Sequence, residues 1–247
     1  MQGRDDQPAK TARGQSHVVG VALMLSLAVV ALGGLTMGVG TVLDSQASNA
    51  DAERVAIAMD DALQSTERTG QYTHEIRFAE GTLTTEERTV RILNESGTVL
   101  QEYAVGALVF DDGTNRVVSV AGAVIRGEPG NAWFVSEPPI TSSESTGALV
   151  IGVPVLGGET SSVSGQSVTA TLQTNVSHTE QDLPTEEYAV AIETETPEPF
   201  ERYFSTHNAT TERQSFDDDE KASVVATYQG PRDAVVVVHD LALEVGG

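Results

Sequence analysis

Between Val18 and Leu43 the chain runs for about 26 residues without a formal charge, and past Asp44 the apolar positions thin out to a helical spacing. Ala47, Ala50, Val55, Ala58, Met59, Ala62 and Leu63 recur mostly at three- and four-residue steps. Asp51, Glu53, Arg54, Asp60, Asp61, Glu67 and Arg68 fill the positions between them. That is the pattern of an amphipathic helix, and Gly70 is a plausible stop. Read together, the two stretches predict one helix of about 50 residues, its first half apolar all round and its second half seated on a domain.

From Tyr72 the period changes to two. Tyr72 to Phe78 and Arg88 to Leu93 alternate, and Asn94-Glu95-Ser96-Gly97 reads as a turn into Thr98 to Tyr103. A second hairpin is expected from Ala107 to Phe110, a turn over Asp111 to Asn115, and a return strand from Arg116 to Val120. Further strand-like runs lie at Ala132 to Val135, Ala148 to Val155, Ser167 to Thr174, Tyr188 to Glu193, Ala222 to Tyr228 and Ala234 to Val245. Pro197 to Phe204 interrupts them as a short helix, with prolines in its first turn and Phe200, Tyr203 and Phe204 on one face, ready to seat it on a sheet.

The expected class is therefore α+β: a long N-terminal membrane-spanning helix followed by a mainly antiparallel β-sandwich or barrel-like exterior domain. The expected organisation is a leader over 1–14, a transmembrane plus amphipathic helix over 15–69, and an extracellular β-rich domain over 70–247. A helix of the apolar run's length reaches roughly 39 Å against about 30 Å of hydrocarbon. Arg4, Lys10 and Arg13 precede the run, whereas Asp44, Asp51 and Glu53 follow it. The positive-inside rule then predicts a single-pass protein of the cell membrane, N-terminus inside and C-terminal domain outside.

Charge narrows the partners. A formal net charge of −22 repels nucleic acid, and it keeps a surface hydrated in high salt, the reading taken here for the source of the chain. Absence of cysteine excludes disulfides, thiol catalysis and cysteine-ligated metals.

Arg13-Gly14-Gln15 at the edge of a Val/Leu/Gly-rich segment, continued by a helix into a β-rich domain, resembles the archaeal type IV pilin-like and archaellin-like proteins. The likeness is strongest to haloarchaeal members with class III signal peptides. The resemblance covers about the first 65 residues. It implies cutting by a prepilin-peptidase-like protease between Gly14 and Gln15, with Arg13 as the recognition charge. It further implies assembly with copies of itself or other pilin-like subunits, or retention in membrane lipid. Gly33, Gly34 and Gly38 are the candidate surfaces for close helix packing, set against the ordinary glycine enrichment of membrane helices.

Three sequons, at Asn94, Asn175 and Asn208, are candidate N-glycosylation sites. The acidic run Asp217 to Glu220 lacks the spacing of a calcium loop and reads as a solvated face. The five histidines show no two-ligand zinc spacing, and there is no nucleophile elbow or phosphate loop. No cofactor, metal or catalytic residue is expected. The functional expectation is a non-enzymatic pilin-like surface protein, a filament subunit or a membrane-anchored surface protein. The alternatives are an anchored extracellular binding module for a ligand or envelope partner and, last, a tethered hydrolase.

Overall fold

The computed structural model describes residues 24–27, 46–63, 68–158, 160–217 and 219–247. The chain divides into two units, Met1–Ala47 and Ser48–Gly247. In the first, residues 24–27 are helical. The second is mainly antiparallel β-structure with two helices among its described residues, α1 over 46–63 and α2 over Pro197–Thr206.

Three long strands organise the sheet: β1 (Gly70–Glu86), β10 (Ser162–Asp182) and β13 (Ser223–Asp240). β1 pairs with β10 from Gly70↔Val176 to Thr84↔Ser162, and its last residues, Thr82 to Glu86, pair with β4 (Ala107–Asp111). The meander continues through β5 (Arg116–Val120), β6 (Ala123–Arg126) and β7 (Trp133–Ser136). β13 changes partners along its length. Its first half lies between β11 (Glu186–Glu193) and β12 (Ala209–Gln214), and its second half between β10 and β9 (Ala148–Val155). Beyond β11 come β2 (Thr89–Asn94) and β3 (Val99–Ala104) at one edge. Among the described residues, β9 with β13 is the one parallel pair.

Alternation along β4 explains why its residues are buried on both sides. Ala107 and Val109 join one core with Val118, Val120, Ile125, Val190, Tyr228 and the α2 aromatics. Leu108 and Phe110 join the other, with Ile76, Phe78, Leu83, Leu172 and the inner face of α1. A strand covered on both faces must be apolar at consecutive positions, which Ala-Leu-Val-Phe supplies.

α1 puts Ala52, Val55, Ala56, Met59, Ala62 and Leu63 into that second core, at helical spacing. Two polar clamps fix its orientation. The Asp51 carboxylate, almost fully buried, accepts hydrogen bonds from the Ala79 N–H of β1 (2.7 Å) and from Arg54 (2.6 Å). Ser48 donates to Asp112 (2.6 Å) and accepts from Asn115 (2.7 Å), which ties the helix start to the β4–β5 turn.

The expectation of an α+β chain built on a spanning helix is corrected here. Among the described residues no helix is long and apolar enough to cross a membrane, and the described fold is mostly antiparallel sheet. That expectation placed the span at Val18 to Leu43, of which residues 24–27 alone are described; the helix described at length, α1, carries Asp51, Glu53, Arg54, Asp60 and Asp61 and seats its apolar face on its own sheet, as its spacing implied. The transmembrane reading and the single-pass membrane location fall with that expectation. The proposed helix over 15–69 otherwise lies largely outside the described residues.

Candidate functional site

Charge pairs concentrate where β1 turns into β2 and where the chain enters and leaves α2. Arg88, buried at that turn, faces Glu86 and, at 3.5 Å, Glu195. Glu195, in the β11–α2 connection, also receives Arg116 of β5 (2.8 Å) and Lys221 (2.6 Å). Burial alone would raise the Glu195 pKa. The Lys221 hydrogen bond and the charges of Arg116, Lys221 and Arg88 outweigh it and hold the carboxyl below its usual range. A cleft of about 340 Å³ opens beside this network, lined in part by Thr85, Glu86, Arg88, Ala104, Gly106 and Leu156. Cations and carboxylates in it are matched one against another, so the arrangement braces strands rather than presenting charge to a ligand.

One strand over, Arg91 pairs with Asp219 (2.7 Å) and with Glu102 of β3 (2.7 Å), and its guanidinium lies 4.5 Å from the centre of the Phe216 ring. Phe216 in turn covers the outer cluster of Leu93, Ala189, Ala191 and Val225. The acidic run is thus not simply a solvated face. Asp219 is inserted, Glu220 reaches Arg88 at 3.8 Å, and Asp217 stays exposed. Only the fold shows which member of the run is buried.

A family model described as a family of unknown function, DUF7289, matches residues 13–244. The chain belongs to this family. No curated protein matches it. Because DUF7289 is described only as of unknown function, membership lends no support to a pilin or archaellin identity. The DUF7289 match takes in the apolar run and the β-structure together.

The candidate residues of this DUF7289 chain fall in different places. Arg13, Gly14, Gln15, Gly33, Gly34 and Gly38 lie outside the described residues. Asn94 ends β2, and its side-chain oxygen accepts from the Ser96 N–H (3.1 Å), the Ser96 hydroxyl (2.7 Å) and the Thr98 N–H (2.9 Å). This is a side-chain-closed turn. Asn175 sits exposed within β10, opposite Gln71. Asn208 is exposed in the α2–β12 turn, with φ +60°. The three sequons are not brought together.

Two further features bear on function. Met24, Leu25 and Leu27 are 79%, 61% and 75% exposed on helical backbone, an apolar surface that a lipid-bound expectation had accounted for differently. His178 and His239 meet edge-on from neighbouring strands, although no short spacing links them.

Proposed function

We propose that this DUF7289 member is a non-enzymatic structural subunit that associates with copies of itself through the apolar segment around residues 24–27 and displays its acidic β domain. The observation that carries the reading is the exposure of Met24, Leu25 and Leu27 on a helical backbone. Covering side chains of this kind stabilises an assembly by roughly 1.5–3 kcal/mol each. Identical neighbours offer the same surface and cover one another.

Two further features fit. α1 is fixed to the sheet by its apolar inner face and by the Asp51 and Ser48 clamps. The net charge of −22 keeps displayed domains hydrated and discourages contacts between them.

The chain has no cysteine, so single introduced thiols report contacts cleanly. Leu27→Cys is expected to give disulfide-linked dimers under mild oxidation, whereas Asn208→Cys on the β domain stays monomeric. Equal and low cross-linking of both would count against the proposal.

A further inference from the structure

The antiparallel register of β10 with β13 runs from Ser177↔Asp240 to Asp182↔Val235 and sets His178 directly opposite His239. They stand 61 positions apart in the chain, and their Nδ1 atoms approach to 2.9 Å. The ring centroids are 4.9 Å apart and the planes cross at 81°. His178 is exposed and His239 half-buried, so solvent reaches the pair.

Two neutral imidazoles in this arrangement share one N–H between two nitrogens. A cation can take the place of that proton and accept both lone pairs, once each ring carries its own proton on Nε2 and turns off the N···N line so that both lone pairs converge on the ion. No net proton leaves the protein in that exchange, because each imidazole stays neutral and only changes tautomer.

Metal geometry sets the nitrogen separation the rings must reach. With metal–nitrogen bonds of about 2.0–2.1 Å, a tetrahedral angle places two nitrogens about 3.3–3.4 Å apart, and a right angle places them about 2.8–3.0 Å apart. The observed 2.9 Å is the hydrogen-bond contact of the two rings, and it brings both nitrogens within reach of a right-angle set. Right-angled nitrogen sets belong to tetragonal Cu(II) and Ni(II), and Cu(II) stands highest in the order of divalent affinities.

We propose that His178 and His239 form a two-imidazole chelate for a tetragonal transition-metal ion, Cu(II) before Ni(II), with water at the remaining positions. Among the described residues no group of three or more His, Cys, Asp or Glu is placed to hold a metal. With His178 exposed and His239 half-buried, the chelate is open to solvent and exchangeable. The strongly acidic chain raises the local concentration of cations around it. Glu180, two residues beyond His178 on the same face of β10, adds a nearby negative charge.

The test titrates Cu(II) alone into the full chain at neutral pH and reads binding by calorimetry and nitrogen coupling by electron paramagnetic resonance. One tightly held equivalent coupled to two imidazole nitrogens is expected. Because the second imidazole binds intramolecularly, His178→Asn and His239→Asn should each weaken it by about tenfold or more. His74→Asn and His207→Asn should leave it unchanged. Circular dichroism checks that the variants keep their fold, and the nitrogen count in the unaltered chain decides independently of any variant. Coupling to one nitrogen or none, or undiminished affinity in either Asn variant, overturns the proposal.

Discussion

Arg91 and Asp219 meet at 2.7 Å across 128 positions of sequence, with 4% and 1% of their side chains exposed. The pair holds the segment after β12 against the outer face of β2, where Phe216 closes a small apolar cluster. Removing one partner leaves the other charge buried without its counterion, which costs about 3–5 kcal/mol. Arg91→Ala and Asp219→Asn are each expected to lower the unfolding free energy, read from denaturant titration, by an amount in that range. A double variant should cost less than the sum of the two. Additive losses in equilibrium unfolding would show that the two side chains are not coupled.

Gly81 of β1 and Gly165 of β10 are paired residues of one ladder, with φ of +139° and +150°. A Cβ on Gly81 would stand 2.8 Å from both the Asp111 carbonyl oxygen and the Phe110 ring. Gly81→Ala therefore combines backbone strain with a clash, and is expected to destabilise by about 1–3 kcal/mol. Gly113→Ala serves as the comparison, since it shares a positive φ of +80° but meets open space. Thermal unfolding should show the larger loss at Gly81.

The seating of α1 is tested by two neighbours. Met59 is fully buried between the helix and the sheet, whereas Ile57 is 51% exposed. Met59→Ala is expected to cost about 2–5 kcal/mol through the lost contacts and the cavity left behind. Ile57→Ala should stay within about 0.5 kcal/mol, as exposed substitutions do. Similar costs at both positions would mean that the helix presents a different face.

Acid should weaken the Glu195 network in a defined direction. Its carboxyl is held below the usual range, so its contribution is complete above the unfolded carboxylate pKa of about 4.3. That contribution is lost as pH falls through the lower folded value. Asp112 behaves alike: burial opposes ionisation, but hydrogen bonds from Ser48, Asn115 and Thr114 outweigh it. The stability difference between the natural chain and Glu195→Gln is expected to be largest at neutral pH and to shrink as pH falls below about 4. A difference that grew with acid would reverse the sign of the argument.

Local patterns were legible from the residues because they depend on neighbours in sequence. The hairpin of β4 and β5 lies at Ala107–Asp111 and Arg116–Val120, where the two apolar runs and the Asp-Asp-Gly turn put it. α2 buries Phe200, Tyr203 and Phe204, as its spacing implied. Long strands were cut short: the run read as Tyr72 to Phe78 belongs to a strand reaching Glu86, because Gly81 looks like a break until Gly165 is found opposite it. Sites made by register stayed invisible. His178 with His239, and Arg91 with Asp219, are joined only once β10, β13, β2 and the segment after β12 are in place. The spanning-helix expectation rested on the uncharged run Val18 to Leu43, of which residues 24–27 alone are described, whereas the amphipathic stretch over 46–63 is seated on β1, β4 and β10 as its spacing implied.

The claim that the apolar segment joins copies of the chain is tested most directly by light scattering of the full chain in detergent-free buffer, beside a Leu25→Asp, Leu27→Asp variant. The account predicts a mass of several chains, or filaments, for the natural sequence and a single 26.0 kDa chain for the variant. A natural chain that remains at 26.0 kDa across the concentration range, indistinguishable from the variant, would contradict it.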